Sequence, residues 1–315
     1  MKLNPVYTYI LVILSMVFWG MSFVWSAIVL KYYDPITTVL LRLIISSAIL
    51  FTGLKIFNRI QKLNKQDYKL FFLSALLNPF LYFLGENYGL QLTSPTISSI
   101  IIATIPLFTP ILAFFVFGEK LSKLNIAGIF ISFAGVSFMM LNKDLSFSAD
   151  PKGVLWLSLA VIAAVIYSVL LKKLAYRYDA FMIIAMQNVI GALYFLPFFL
   201  IFDVQRFIAV TPNAELISSL LLLSFFASSL AFVFFTISSR EIGISKTNLF
   251  TNLIPVFTTI FSFFILREDF EARKIIGMIV VIGGVLLSQI TGKVMLVRFY
   301  KYVLMRKKNH SGLDG

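Results

Sequence analysis

The 315-residue chain has no cysteine and a single histidine, His310. Disulfide frameworks, thiolate chemistry and cysteine- or histidine-based metal sites are thereby excluded, and with them haem, iron–sulfur and most zinc enzymes. No cofactor is expected. Charge is scarce as well: Asp, Glu, Lys and Arg make up 13% of the residues, about half the ~25% of an ordinary soluble domain. With 59% hydrophobic residues and a mean hydropathy of +0.93, the chain cannot be a soluble globular protein. It also lacks a GxxxxGK[ST] motif, and its polar breaks are too short for a nucleotide-binding domain, so ATP drive within the chain is excluded.

What the chain does have is long apolar runs. They lie near 7–29, 35–57, 69–91, 95–117, 124–141, 153–173, 180–202, 216–238, 244–266 and 275–292, and most approach the roughly 20 residues that cross a bilayer as a helix. Helices are required because an open strand edge cannot satisfy its backbone in lipid. The first run has no convincing small-residue cleavage site after it, so a removed signal peptide is not expected. Basic residues set the orientation. With the N-terminus cytoplasmic, inside segments carry 19 Lys and Arg, outside segments carry 7, and Arg42 alone lies within a span. The positive-inside rule therefore places both termini in the cytoplasm. The net charge of +13 reads as loops facing anionic lipid and not as a nucleic-acid surface. The basic, partly apolar segment 293–315 reads either as lying on the inner leaflet or as a solvated tail.

The strongest signal is self-similarity. Pro106–Glu119 aligns without gaps on Pro255–Glu268, sharing Pro, Phe, Thr, Ile, Phe, Phe and Glu at an offset of 149. The same offset carries Gly128 onto Gly277 and Gly135 onto Gly284, and Tyr33-Asp34 matches Tyr178-Asp179 at 145. Five spans per half is an odd number, so the second copy enters the membrane from the opposite face. The expected fold is all-α and integral to the membrane: ten transmembrane helices as two inverted five-helix repeats, residues 1–142 and 143–292, then the tail.

Together with Phe18-Trp19-Gly20 in the first span, these features resemble the EamA-type transporters of the drug/metabolite transporter superfamily, over about residues 6–292. The resemblance implies a permease of the bacterial inner membrane, often an exporter of amino acids or other small metabolites, with a central cavity between the halves. One departure is Arg267, which stands where the first half has Gly118.

Ionisable groups inside spans are costly and mark function by default. Arg42 and Glu86, of opposite charge, similar depth and adjacent spans, are expected to pair or to face the outer part of the cavity together. Asn78, Tyr82 and Glu86 follow at i, i+4 and share one helix face, as do Asn248, Asn252, Pro255 and Thr259. Gly85 and Gly89 flank the first stripe and suit either a cavity or a close helix contact. Trp19 and Ser22 in the first span, and Gln187 and Asn188 in the seventh, complete the candidate cavity lining. Pro106 and Pro255 free backbone groups near the middle of equivalent spans and are candidate hinges. Glu119 and Glu268, at span ends on opposite faces, are expected to cap a following helix or to make a gate contact.

The leading reading is a secondary transporter of a small polar or amphipathic metabolite working by alternating access, with membrane lipid as its surroundings and protons as a candidate coupling ion through Glu86. An uncoupled facilitator or channel is one alternative. The other is a membrane-embedded enzyme of lipid or isoprenoid metabolism, against which Asp144, Asp150, Asp203 and Glu215 form no DxxD-type cluster.

Overall fold

A computed structural model describes residues 5–108, 112, 123–140, 150–243, 247–248, 250–268 and 271–289. Glu119, the expected partner of Glu268 in the repeat, and the basic tail lie outside the described residues. Among the described residues the regular structure is entirely helical. The helices are α1 (Pro5–Val29), α2 (Pro35–Ile56), α3 (Lys65–Leu92), α4 (Pro95–Phe108), α5 (Lys123–Met140), α6 (Pro151–Ala175), α7 (Ala180–Ala209), α8 (Ala214–Ile242), α9 (Phe250–Leu266) and α10 (Ala272–Gln289). Of these, α1, α2, α3, α6, α7 and α8 are long and apolar enough to cross a membrane, while the described apolar parts of α4, α5 and α9 are shorter.

Local sequence explains where the helices begin. Proline occupies the first turn of α2, α4 and α6, where its missing N–H costs nothing. The Asp150, Asp179 and Asn213 side chains each accept a backbone N–H of the following first turn, at 2.8, 2.9 and 2.8 Å.

The distribution of polarity is that of a protein solvated by lipid. Ser46, Ser74, Asn87, Ser98, Ser229 and Thr236 are fully buried, whereas Phe130, Leu155, Ile201 and Phe264 are exposed. Interior hydroxyls and amides serve as hydrogen-bonding contacts between helices where apolar surface gives no drive to associate.

The main helix contacts map onto one another when each helix is exchanged for the one five places on. α1 packs on α8 and α9, and α6 packs on α3 and α4. α2 packs on α8 as α3 packs on α7, and the pairs α2–α7, α4–α9 and α5–α10 are their own equivalents. Close approach at the α3–α6 seam depends on glycine: a Cβ on Gly85 would run into the Trp156 carbonyl and Ala160, and one on Gly89 into Leu157. These two glycines therefore serve a close helix contact.

Five helices depart from regular winding, one of them α7, which widens at Phe199–Asp203. α3, expected as one regular span, loosens into a widened turn at Leu76–Leu81, where Asn78 leaves helical geometry (φ −144°, ψ 115°) next to Pro79. Proline clashes with the helical conformation of the residue before it and lacks an N–H, which accounts for the break. α8 widens at Leu223–Ala231, the stretch equivalent to the α3 break at the offset of 149. α4 is interrupted by a turn at Ala103–Thr104, just before Pro106. At the equivalent point α9 starts as a tighter turn, Phe250–Leu253, before Pro255 in the first turn of Ile254–Phe261. That tight turn winds three residues per turn, so the single polar face expected for Asn248, Asn252, Pro255 and Thr259 is not maintained. α9 ends at Arg267, whose backbone is left-handed (φ 57°, ψ 33°).

Candidate functional site

A cavity lies among α1, α3, α4, α6, α8 and α9. The irregular segments supply much of its wall. The α3 break presents Asn78 and, one turn on, Tyr82. The residues around the α9 start present Asn248, Thr251 and Ile254, and Ile102 and Ile105 flank the α4 turn. Trp19 packs edge-on against Phe232 at 4.9 Å between ring centroids and lies 5.1 Å from Phe235, so three aromatic rings form one side.

Behind this wall runs a buried polar network. The Arg42 guanidinium, 1% exposed, donates from Nε to Ser228 Oγ at 2.8 Å and stacks over the Phe83 ring at 4.1 Å. Its Nη1 lies 3.9 Å from Glu86 Oε2, an ion pair longer than a hydrogen bond. The Tyr82 hydroxyl donates to Glu86 Oε1 at 3.0 Å, which ties the cavity wall to the ion pair. Asn188 donates to Ser46 Oγ and to the Ser228 carbonyl, and Ser46 and Ser229 share a 2.6 Å hydrogen bond. Gln187 accepts from the Tyr167 hydroxyl and donates to Ser74 Oγ, both at 3.0 Å.

The sequence-derived candidates thus separate into two layers. Trp19, Asn78, Tyr82 and Asn248 line the cavity. Arg42, Glu86, Gln187 and Asn188 stand behind it in the network. Ser22 returns its hydroxyl to the Trp19 carbonyl at 2.7 Å, and Asn252 is buried outside the lining. Glu268 accepts from Ser94 Oγ at 2.7 Å and Thr96 Oγ1 at 2.9 Å and lies 3.6 Å from Lys274 Nζ. It therefore ties the end of α9 to the starts of α4 and α10.

Polar clasps stand at both ends of the bundle. At one, Asp67 pairs with Arg177 and accepts from the Tyr178 hydroxyl at 2.7 Å, and Arg240 donates to the Tyr178 carbonyl at 2.5 Å. This clasp joins the start of α3, the α6–α7 turn and the end of α8. Burial pushes the Tyr178 phenol above its ordinary value, and the Asp67 carboxylate acts in the same direction, so the hydroxyl keeps the proton it donates. At the other end Asp34 pairs with Arg206 at 2.5 Å, and the Asp203 carboxylate accepts the N–H and hydroxyl of Thr37.

The profile of the EamA-like transporter family matches residues 6–141 and again 151–290. The chain belongs to that family. Among relatives of this EamA-like transporter, the uncharacterized transporter YetK of Bacillus subtilis is 30% identical over 80% of this chain and 78% of its own length. An uncharacterized transporter of Archaeoglobus fulgidus is 28% identical over 89% and 96%. A chloroplastic WAT1-related protein of Arabidopsis thaliana is 27% identical over 63% and 49%. One crystal structure superposes with a TM-score of 0.68 at 16% identity, covering 90% of this chain and 98% of the other, a likeness of fold. The protein is accordingly a multi-pass membrane protein of a transporter family and not an enzyme.

Several groups around the cavity of this EamA-like transporter carried no distinguishing signal. Tyr167, Phe232 and Phe235 are ordinary aromatics in a chain with 34 Phe and 13 Tyr. Ser46 and the Ser228-Ser229 pair were legible only as hydroxyls inside long apolar runs, a usable but weak sign of helix contact.

Proposed function

We propose that the protein is a secondary transporter that carries a small metabolite across the bacterial inner membrane, with both termini cytoplasmic. Its two inverted five-helix halves, residues 1–142 and 143–292, rock between inward-open and outward-open arrangements about the central cavity. The observation that carries this reading is the composition of the cavity wall. It is built from α1, α3 and α4 of the first half and from α6, α8 and α9, their equivalents in the second. A site shared by equivalent helices of two inverted halves can be exposed to either face by exchanging the roles of the halves. The self-mapping helix packing and the doubled family match support the same reading.

Irregular backbone in four of the six cavity-lining helices, α3, α4, α8 and α9, supplies the pliant points, and Pro106 and Pro255 sit where two of them resume. The clasps at the two ends are the contacts that opening would break in turn. Glu86 is the carboxylate placed to couple flux to protons, since it is buried and reaches the cavity through Tyr82.

Purified protein in liposomes, presented with a panel of metabolites with and without a pH gradient, is expected to give saturable flux of one chemical class. Absence of flux under every gradient would overturn the transport reading.

A further inference from the structure

The cavity wall has a hydrogen-bonding balance that specifies its occupant. Every hydroxyl that lines it already donates to protein: Tyr82 to Glu86, Tyr167 to Gln187, Ser168 to the Val165 carbonyl and Thr251 to the Asn248 carbonyl. Two residues of the wall each carry a buried donor without a partner, the indole Nε1 of Trp19 and the amide Nδ2 of Asn248. Asn248 is 5% exposed. Buried donors are ordinarily satisfied, so orphans on two residues that line one cavity are read as groups that a ligand satisfies. None of the lining residues is charged. Arg42 and Glu86 face each other behind the wall. A ligand with net charge, or with separated charges, would surrender its hydration without a counter-charge in return. Beside the donors stand the rings of Trp19, Phe232 and Phe235, which favour a flat apolar body.

We infer that this cavity takes an uncharged, planar molecule, aromatic or heteroaromatic, whose hydrogen-bond acceptors are met by Trp19 Nε1 and Asn248 Nδ2. The inference rests on the cavity being the transport site and narrows its cargo to a class that leaves out free amino acids and carboxylates.

The chain has three tryptophans, so the full-length Trp25→Phe/Trp156→Phe variant keeps Trp19 as the sole reporter. Its fluorescence is titrated with pairs that share a skeleton and differ in charge: nicotinamide and nicotinate, benzamide and benzoate, uridine and uridine monophosphate, N-acetylphenylalaninamide and phenylalanine. At least one uncharged member is expected to change Trp19 emission saturably, with its charged or zwitterionic counterpart bound at least ten-fold more weakly. Asn248→Leu is expected to weaken that binding at least ten-fold. Asn248→Ala, which removes the donor without adding a bulkier group, serves if the leucine variant does not fold. Equal or tighter binding of the charged members, or no binding by any uncharged member, would overturn the inference. Liposome flux of the same compounds separates the two readings. Saturable flux of charged members alone sinks the cargo class and leaves transport standing, whereas saturable binding of an uncharged member without flux of any compound sinks transport and leaves the binding class.

Discussion

At the scale of single residues, the buried ion pair governs the interior. Arg42 and Glu86 were legible because two opposite charges at similar depth in adjacent apolar runs have few ways to be satisfied. Their partners Ser228 and Tyr82 complete the arrangement. Removing one partner strands the other, so Arg42→Met is expected to destabilise the protein by about 3–5 kcal/mol. Arg42→Met with Glu86→Leu removes both charges and should recover most of that loss. Thermal unfolding in detergent checks this, and additive losses in the double variant would show that the pair is not coupled. A second residue carries a backbone load. Arg267 holds the left-handed conformation at the end of α9, a geometry that costs a non-glycine residue about 1–2 kcal/mol. Its repeat equivalent in sequence is Gly118, a residue type that adopts this conformation without that cost. Arg267→Gly should therefore raise stability by about 1 kcal/mol in the same assay. No change or a loss would mean that the Arg267 side chain contributes more than its backbone strain takes away.

Among elements, hydropathy marked where helices run but not how they wind. The break in α3 arises at Asn78-Pro79, and a Pro inside an apolar run does not reveal whether the chain kinks, widens or unwinds, because neighbouring helices decide which freed backbone groups are met. The widened turn in α8 contains no proline and had no sequence mark of its own; only the repeat offset sets it against the α3 break. Glycines were similarly ambiguous. Gly85 and Gly89 border the Asn78–Tyr82–Glu86 stripe, yet they serve the α3–α6 contact, whereas Gly53 in α2 has nothing within 4 Å of an added Cβ. This contrast is testable with one substitution at two sites. Gly85→Ala forces α3 away from the α6 backbone and should lower the melting temperature, while Gly53→Ala should hold or raise it, by up to about 1 kcal/mol of stability. If the two variants melt alike, close approach at the α3–α6 seam is not limiting.

Over the whole molecule, two independent sequence signals converge on one architecture. The repeat comes from Pro, Gly and Glu positions at an offset of 149, and the orientation comes from Lys and Arg in the loops. The helix packing adds a third line of support, since exchanging the halves returns the main interhelical contacts, α1–α8 and α6–α3, α1–α9 and α6–α4, α2–α8 and α7–α3. Cavity chemistry was less legible, because it depends on which hydroxyls are already committed across helices, as with Tyr167 and Gln187, and no periodicity encodes that. Inversion itself makes a strict demand. Residues 62 and 211 are separated by the repeat offset and stand exposed in the α2–α3 and α7–α8 connections. In an inverted arrangement they must face opposite sides of the membrane; in a parallel repeat they face the same side. The natural absence of cysteine makes the measurement direct. Lys62→Cys and Thr211→Cys, introduced singly, are exposed to a membrane-impermeant maleimide on intact cells and again after lysis. Thr211→Cys is expected to label in intact cells and Lys62→Cys only after lysis, while the same labelling behaviour at both positions would refute the inverted repeat and with it the exchange of roles on which alternating access depends.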